Sequence, residues 1–201
     1  MRLPVDAALI LVDLQAAIDD PCWGPRNNPQ AETLVAALLA AWRSAAMPVL
    51  HVRHDSLSPN SPYRPGGPGH AFKPEAAPLP GEAVIAKRTG SAFIDGALEA
   101  ALDALGSTHL VLCGVLTNNS LEATARHAGD LGYRVFVVSD ACWAVDKRDA
   151  SGRLWGAEDV HRLSLANLEG EYARVVPGAL AIEAARLAAS RRKPGPSPAA
   201  A

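Results

Sequence analysis

What the sequence lacks narrows its class first. No apolar run is long enough to span a bilayer. The N-terminus enters a strand-like segment directly, without the basic stretch, apolar core and small-residue cleavage site of a secretory leader. Cysteine is scarce and odd in number: Cys22, Cys113 and Cys142 show no metal-ligand spacing and read as reduced thiols, Cys113 in a strand and the other two in loops. A cytoplasmic location is the expectation. Charge of one sign is lacking as well. With 19 Lys and Arg against 21 Asp and Glu the net charge is −2, and the basic residues cluster only at Arg191-Arg192-Lys193. Neither a nucleic acid nor a membrane is therefore an expected partner. No internal repeat is visible. A chain of 201 residues, 49% hydrophobic, can bury its own core as one domain, expected over residues 1–190, with a disordered tail over 191–201.

What is there is organised around Thr108 to Ala141, which reads as strand, tight turn, helix, strand. His109 to Val115 is an apolar run of the kind buried on both faces of a sheet. Leu116-Thr117-Asn118-Asn119 breaks that run. From Ser120 the apolar positions recur at helical spacing (Leu121, Thr124, Ala125, Ala128, Leu131), and Gly132 stops the helix. Tyr133 to Val138 is the next strand. In such a βαβ unit ligands gather at the carboxyl ends of the strands, where a helix N-terminus offers free N–H groups. The turn from Leu116 to Ser120 is thus the first place to look for a site.

The rest of the chain repeats the alternation. Ala7 to Leu14 is a buried strand that ends on Asp13 and Gln15, followed by a loop from Asp19 to Pro29. Gln30 to Ala46 is a helix with Leu34, Leu38, Leu39 and Trp42 inward, and Pro48 to His54 is a strand. His51 and His54, three apart on that strand, fall on opposite faces, a poor arrangement for a metal. Leu57 to Gly81 is a long loop rich in proline and glycine, Ala83 to Ala86 a short strand leading to Lys87, and Asp95 to Leu105 a helix. Cys142 to Trp155 reads as a loop. Ala157 to Leu168 is a helix with Val160, Leu163, Leu165 and Leu168 inward, Ala173 to Val176 a strand, and Leu180 to Ala189 an alanine-rich helix. Six strands alternating with helices predict an α/β fold, a three-layer α/β/α sandwich around a parallel sheet, with the strand order left open.

The segment GVLTNNSLEATARHAGDLGYRVFVVSDA resembles the isochorismatase-like superfamily, which includes the cysteine hydrolases (nicotinamidases, N-carbamoylsarcosine amidohydrolases and their relatives). The pattern there is roughly G-V-x-T-N-x-C-V-x-x-T-A-R-x-A, followed by a strand and Asp-Ala. The nucleophilic cysteine of that pattern falls on Ser120. The D-x-Q after the first strand and the K-x-x-x-S-A-F around Lys87 match two further family positions, so the resemblance implies that Asp13, Lys87 and Ser120 form one catalytic site. It also implies sheet order 3-2-1-4-5-6, a cis bond between Val115 and Leu116, and an oxyanion held by the N–H groups of Leu116 and Ser120. The W-G-x-R-N-N-P loop resembles pocket-covering loops of the family and makes Trp23 a candidate pocket wall. Asn119 and Gln15 are polar donors suited to an amide, whereas Arg26 and Arg88 are cations suited to a dicarboxylate. Some family members, the metal-dependent nicotinamidases, carry an Asp-x-His arrangement, but with His51 and His54 on opposite faces no metal, and no cofactor, is expected here. A homodimer or homotetramer is implied.

Serine changes the chemistry. A thiol has a reference pKa of about 8.5; an alcohol lies several units higher, and at about 1.4 kcal/mol per unit its alkoxide costs roughly 5 kcal/mol more to form. No histidine falls on a family triad position to help. Four readings follow. The natural residue is cysteine and Ser120 is a replacement in an amide hydrolase; serine is the native nucleophile of a slower hydrolase; serine is native and Asp13 acts alone as general acid on a vinyl ether; or the protein binds without catalysing.

Overall fold

The computed structural model describes residues 1–191. Its elements are β1 (Ala8–Val12), α1 (Ala31–Ser44), β2 (Val49–His54), β3 (Ala83–Lys87), α2 (Ala97–Leu105), β4 (His109–Val115), α3 (Glu122–Asp130), β5 (Arg134–Trp143), β6 (Lys147–Arg148), β7 (Leu154–Trp155), α4 (Ala157–Leu168), β8 (Arg174–Val176) and α5 (Gly178–Ser190). Six strands form one sheet in the order β3-β2-β1-β4-β5-β8, and every pairing in it is parallel. This is the order the resemblance implies, with β8 as the sixth strand of the sheet. Helices flank both faces, α1 packing on α5 and α3 on α4.

The strands form where unbroken apolar runs leave no polar face. All five residues of β1 are buried, as a central strand covered on both sides requires. The amphipathic α1 buries Ala31, Val35, Leu38, Leu39 and Trp42, and the Trp42 indole donates to the Ala7 carbonyl at 3.0 Å, tying helix to sheet. At Gly178 the start of α5 meets Leu34 so closely that a Cβ would lie 2.6 Å from its Cδ2. Gly114 is a second close approach. Its φ is +121°, and a Cβ would lie 2.2 Å from the Val12 carbonyl oxygen, so only glycine lets β4 press against β1 there.

Several expectations need correction. A register shift between Leu112 and Gly114 lets β5 run on to Trp143, so Cys142 lies in a strand rather than a loop, fully buried, its thiol donating to the Val138 carbonyl at 3.0 Å. The polar segment after it is not all loop, because β6 and β7 pair as an antiparallel hairpin. On α4 the inward residues are Ala157, His161, Ser164 and Leu168, while Leu163 is 64% exposed. Hydrogen bonds made by His161 and Ser164, described below, set that rotation in place of the apolar stripe. Leu131 follows the end of α3 and is exposed. The α3 helix itself begins at Glu122, two residues after Ser120. Arg191, assigned to the tail, caps α5 and donates to the Leu3 carbonyl at 2.8 Å; the rest of the expected tail lies outside the described residues. Among the described residues no helix is long and apolar enough to cross a membrane.

Candidate active site

Three strand ends meet at the carboxyl edge of the sheet. β1 ends at Val12, and the Asp13 N–H still donates to the Val52 carbonyl at 3.0 Å before the chain leaves the ladder. Asp13 then adopts a left-handed φ of 53°, a conformation aspartate tolerates better than most residues and one that accompanies functional sites. Lys87 is the last residue of β3, in register with His54 at the end of β2. From there its stem reaches past β2, placing Nζ 2.7 Å from Asp13 Oδ2, 3.1 Å from Ser120 Oγ and 3.0 Å from the Thr89 carbonyl. Asp13 is 4%, Lys87 2% and Ser120 8% exposed, so the group is nearly dry.

Ser120 sits on a turn of unusual width. The Val115–Leu116 bond is cis. The chain then winds through Thr117–Leu121 with the Leu121 N–H bonded to the Leu116 carbonyl, an i→i+5 turn of a kind found at functional sites. Asn119 departs from helical angles inside it. The Leu116 N–H makes no hydrogen bond with any described residue. Behind the turn α4 holds it in place. His161 Nδ1 lies 2.8 Å from the Thr117 hydroxyl, and the Ser164 hydroxyl lies 2.9 Å from the Thr117 carbonyl and 2.6 Å from Glu122 Oε2. These bonds are why polar residues occupy the inner face of α4.

Burial dominates the electrostatics. It pushes the Asp13 carboxyl above the usual aspartate range, against the opposing pull of the Lys87 ammonium and the Ser120 hydroxyl. One oxygen of Asp13, Oδ1, is buried with no partner among the described residues, so an acceptor is left for an incoming proton. A cavity of about 230 Å³ opens above the group. Its small size suits a small molecule. A larger cleft of about 580 Å³ beside α4 and the hairpin has no comparable convergence of buried ionisable groups.

The structure brings together Asp13, Lys87 and Ser120, and it places Leu116, Asn119 and Trp23 on the cavity wall. The Trp23 indole donates to the Ala17 carbonyl at 2.8 Å and its ring meets Tyr63 edge-on, so it is both wall and loop anchor. Gln15 is a correction. Its side chain is fully buried, donating to the carbonyls of His54 and His70 and accepting from the His54 N–H, and it does not line the cavity. Arg26 is also elsewhere, bonded through both guanidinium ends to Glu32 and stacked 4.3 Å over Trp143, whereas Arg88 does line the cavity. Cys22 lies exposed on the preceding loop, outside the cavity wall.

Two wall residues escape a reading of the sequence. Tyr63 donates its hydroxyl to the Asp13 carbonyl at 3.3 Å. His54 lies with Nδ1 3.4 Å from Lys87 Nζ, while His51 on the opposite face bonds Glu82. The position of His54 at the carboxyl end of β2 is the signal available for it.

The arrangement can hold a carbonyl against Ser120, with Lys87 supplying positive charge and Asp13 a proton acceptor. Known proteins share the whole frame. Residues 7–177 match the family model described as the isochorismatase domain. A solved structure of an isochorismatase-family protein from Chromobacterium violaceum is 55% identical, with a TM-score of 0.89, covering 93% of this chain and 97% of that one. The isochorismatase family protein YrdC of Bacillus subtilis is 36% identical over 169 residues, 84% of this chain and 90% of its own length. Ureidoacrylate amidohydrolase RutB of Variovorax paradoxus is 29% identical over 199 residues, 82% of this chain and 75% of its own length. The sequence motifs, the strand order and these matches agree: the chain belongs to the isochorismatase family of hydrolases.

Proposed function

We propose that the protein hydrolyses a C–N bond, amide or carbamoyl, in a small molecule, using Asp13, Lys87 and Ser120. The observation that carries this reading is the single Lys87 ammonium in contact with both the Asp13 carboxylate and the Ser120 hydroxyl in a nearly dry site. Similarity to a protein named as an amidohydrolase supports the bond type. Ser120 attacks the carbonyl carbon and its proton passes to Asp13, whose raised pKa makes it a better base than an ordinary carboxylate. The oxyanion gathers at the turn, within reach of the Leu116 N–H. Asp13 returns the proton to the departing nitrogen, and water then releases the acyl group from Ser120 by the same route reversed.

A second reading has its own support. A buried carboxyl with an unpartnered oxygen and a raised pKa is also what a general acid needs, and it would protonate a vinyl ether without a covalent step. The decisive experiment screens the protein beside its Ser120→Cys and Ser120→Ala variants against primary amides, carbamoyl compounds and isochorismate. Ammonia and pyruvate are both monitored. Ammonia release that Ser120→Ala abolishes establishes the covalent amidase. Pyruvate release that survives Ser120→Ala assigns the chemistry to Asp13 alone. Ammonia from the Ser120→Cys form only marks serine as a weakened stand-in for cysteine.

A further inference from the structure

We propose that His54 is a substrate-binding residue of this site, a neutral imidazole held in the tautomer that directs an Nε2–H into the cavity, where it donates to an oxygen of the substrate. The proposal deepens the hydrolytic reading and rests on it.

The geometry fixes the tautomer. Lys87 Nζ faces His54 Nδ1 at 3.4 Å, and an ammonium can only donate. A proton on Nδ1 would point at that cation, so Nδ1 carries the lone pair and Nε2 the hydrogen. The opposite side of the ring is free. His54 lines the cavity, its Nε2 bonds to no described residue, and that atom is not among the buried polar atoms left without a partner. It therefore keeps some exposure, and the cavity is the open space that His54 lines. The ring is fixed in place as well. Tyr63 packs edge-on against it at 5.7 Å between centroids, and both backbone groups of His54 are held by the Gln15 amide. The buried Gln15 thus acts on the cavity indirectly, by holding the strand end that carries His54.

Magnitudes separate a donor role from a base role. The charged groups around the ring are Lys87 with its partner Asp13, Arg88 on the cavity wall, and Asp55, itself bonded to Arg53 and His70. Burial first and Lys87 second hold the His54 pKa down to about 4, with Asp55 opposing. An imidazole that weak does not retain the Ser120 proton at neutral pH, but it remains an uncharged N–H donor throughout the working range. Asp13 keeps the proton-transfer role. His54 supplies recognition, favouring substrates with a carbonyl or carboxyl oxygen beside the scissile group over those with a hydrocarbon there.

The test uses the unmodified chain with 15N-labelled histidine. Two-bond nitrogen–proton spectra are expected to show His54 as the Nε2–H tautomer from pH 8 to pH 5, charging only near pH 4. An Nδ1–H tautomer, or an imidazolium at pH 7, overturns the proposal. Kinetics on the best amide or carbamoyl compound of the screen then separate the roles. His54→Leu is expected to raise KM about tenfold, the worth of one hydrogen bond, with kcat nearly unchanged and the acid limb of the rate profile unmoved. His54→Gln, which keeps an N–H donor, is expected to recover most of the loss. A collapse of kcat with a shifted pH profile would make His54 an acid–base group and refute the donor role. If the tautomer is as stated and no C–N compound is turned over, the hydrolytic reading fails and the spectra still decide the state of His54.

Discussion

Replacing Ser120 with cysteine turns the turn into its own reporter, without any knowledge of the substrate. The Lys87 ammonium is 3.1 Å from the hydroxyl oxygen. At an effective dielectric of about 20, a unit negative charge at that distance is stabilised by roughly 5 kcal/mol, equivalent to about 4 pKa units. Burial of the position and the nearby Asp13 carboxylate oppose this, since each disfavours a second negative charge. The expected net result is a thiol that ionises at least about one unit below the reference of roughly 8.5. The assay is the rate of alkylation by iodoacetamide against pH, followed by mass of the intact chain. The exposed Cys22 serves as the internal standard, and the buried Cys113 and Cys142 stay silent. Adding Lys87→Met to Ser120→Cys should move the midpoint up by about a unit or more. If the introduced thiol ionises at or above the reference value, or is indifferent to Lys87, the claim that the turn is built to hold a nucleophilic anion is refuted.

Other perturbations probe the same frame. Asp13→Asn is expected to abolish turnover under either enzymatic reading, and full activity on a confirmed substrate would exclude the shared site. If Asp13 is the base of an amidase, the rate falls as pH drops through a midpoint above the ordinary aspartate range; if it is a general acid, the rate rises instead. Gly114→Ala is expected to cost at least about 3 kcal/mol in urea unfolding, because its Cβ would lie 2.2 Å from the Val12 oxygen at a φ of +121°. An unchanged midpoint would contradict that packing. The Arg43 bond holds Glu82 down to about 2, with the Leu79 N–H and His51 assisting against partial burial. A depressed carboxylate stabilises the fold above its unfolded pKa, and that stability is lost as pH falls toward 2. Glu82→Gln should therefore cost about 1–2 kcal/mol at neutral pH and flatten the acid side of the stability profile.

Asp13 and Lys87 are legible in the sequence because an apolar run stops at each, and Ser120 because the turn after a third run carries a family motif. Gln15 is misread for a physical reason. Two residues from Asp13, simple alternation would put it on the same face, but the left-handed backbone at Asp13 breaks the alternation and turns Gln15 toward the His54 backbone. His54 invites only a metal reading in the sequence, although its strand ends beside that of Asp13. Tyr63 cannot be read there at all. Its loop is positioned by long-range bonds, among them the Lys73 N–H to the Leu14 carbonyl and the Lys73 ammonium to Asp19 and Glu32, which no local pattern encodes. The face of α4 departs from its apolar stripe because satisfying the polar groups of the turn outweighs burying Leu163.

The strand order also sets a schedule for the nascent chain. β1 pairs with β2 on one side and β4 on the other, so the ribosome must deliver more than 110 residues before the second edge of β1 finds its partner. Until then a fully apolar strand offers an open row of backbone donors and acceptors, the kind of edge that invites pairing with another chain. The first half of the protein emerges carrying Asp13 and Lys87 without Ser120 or the turn that bears it. Premature termination would thus yield a sticky three-stranded fragment with a charge pair and without the proposed nucleophile, and the three side chains come together only when β4 closes against β1.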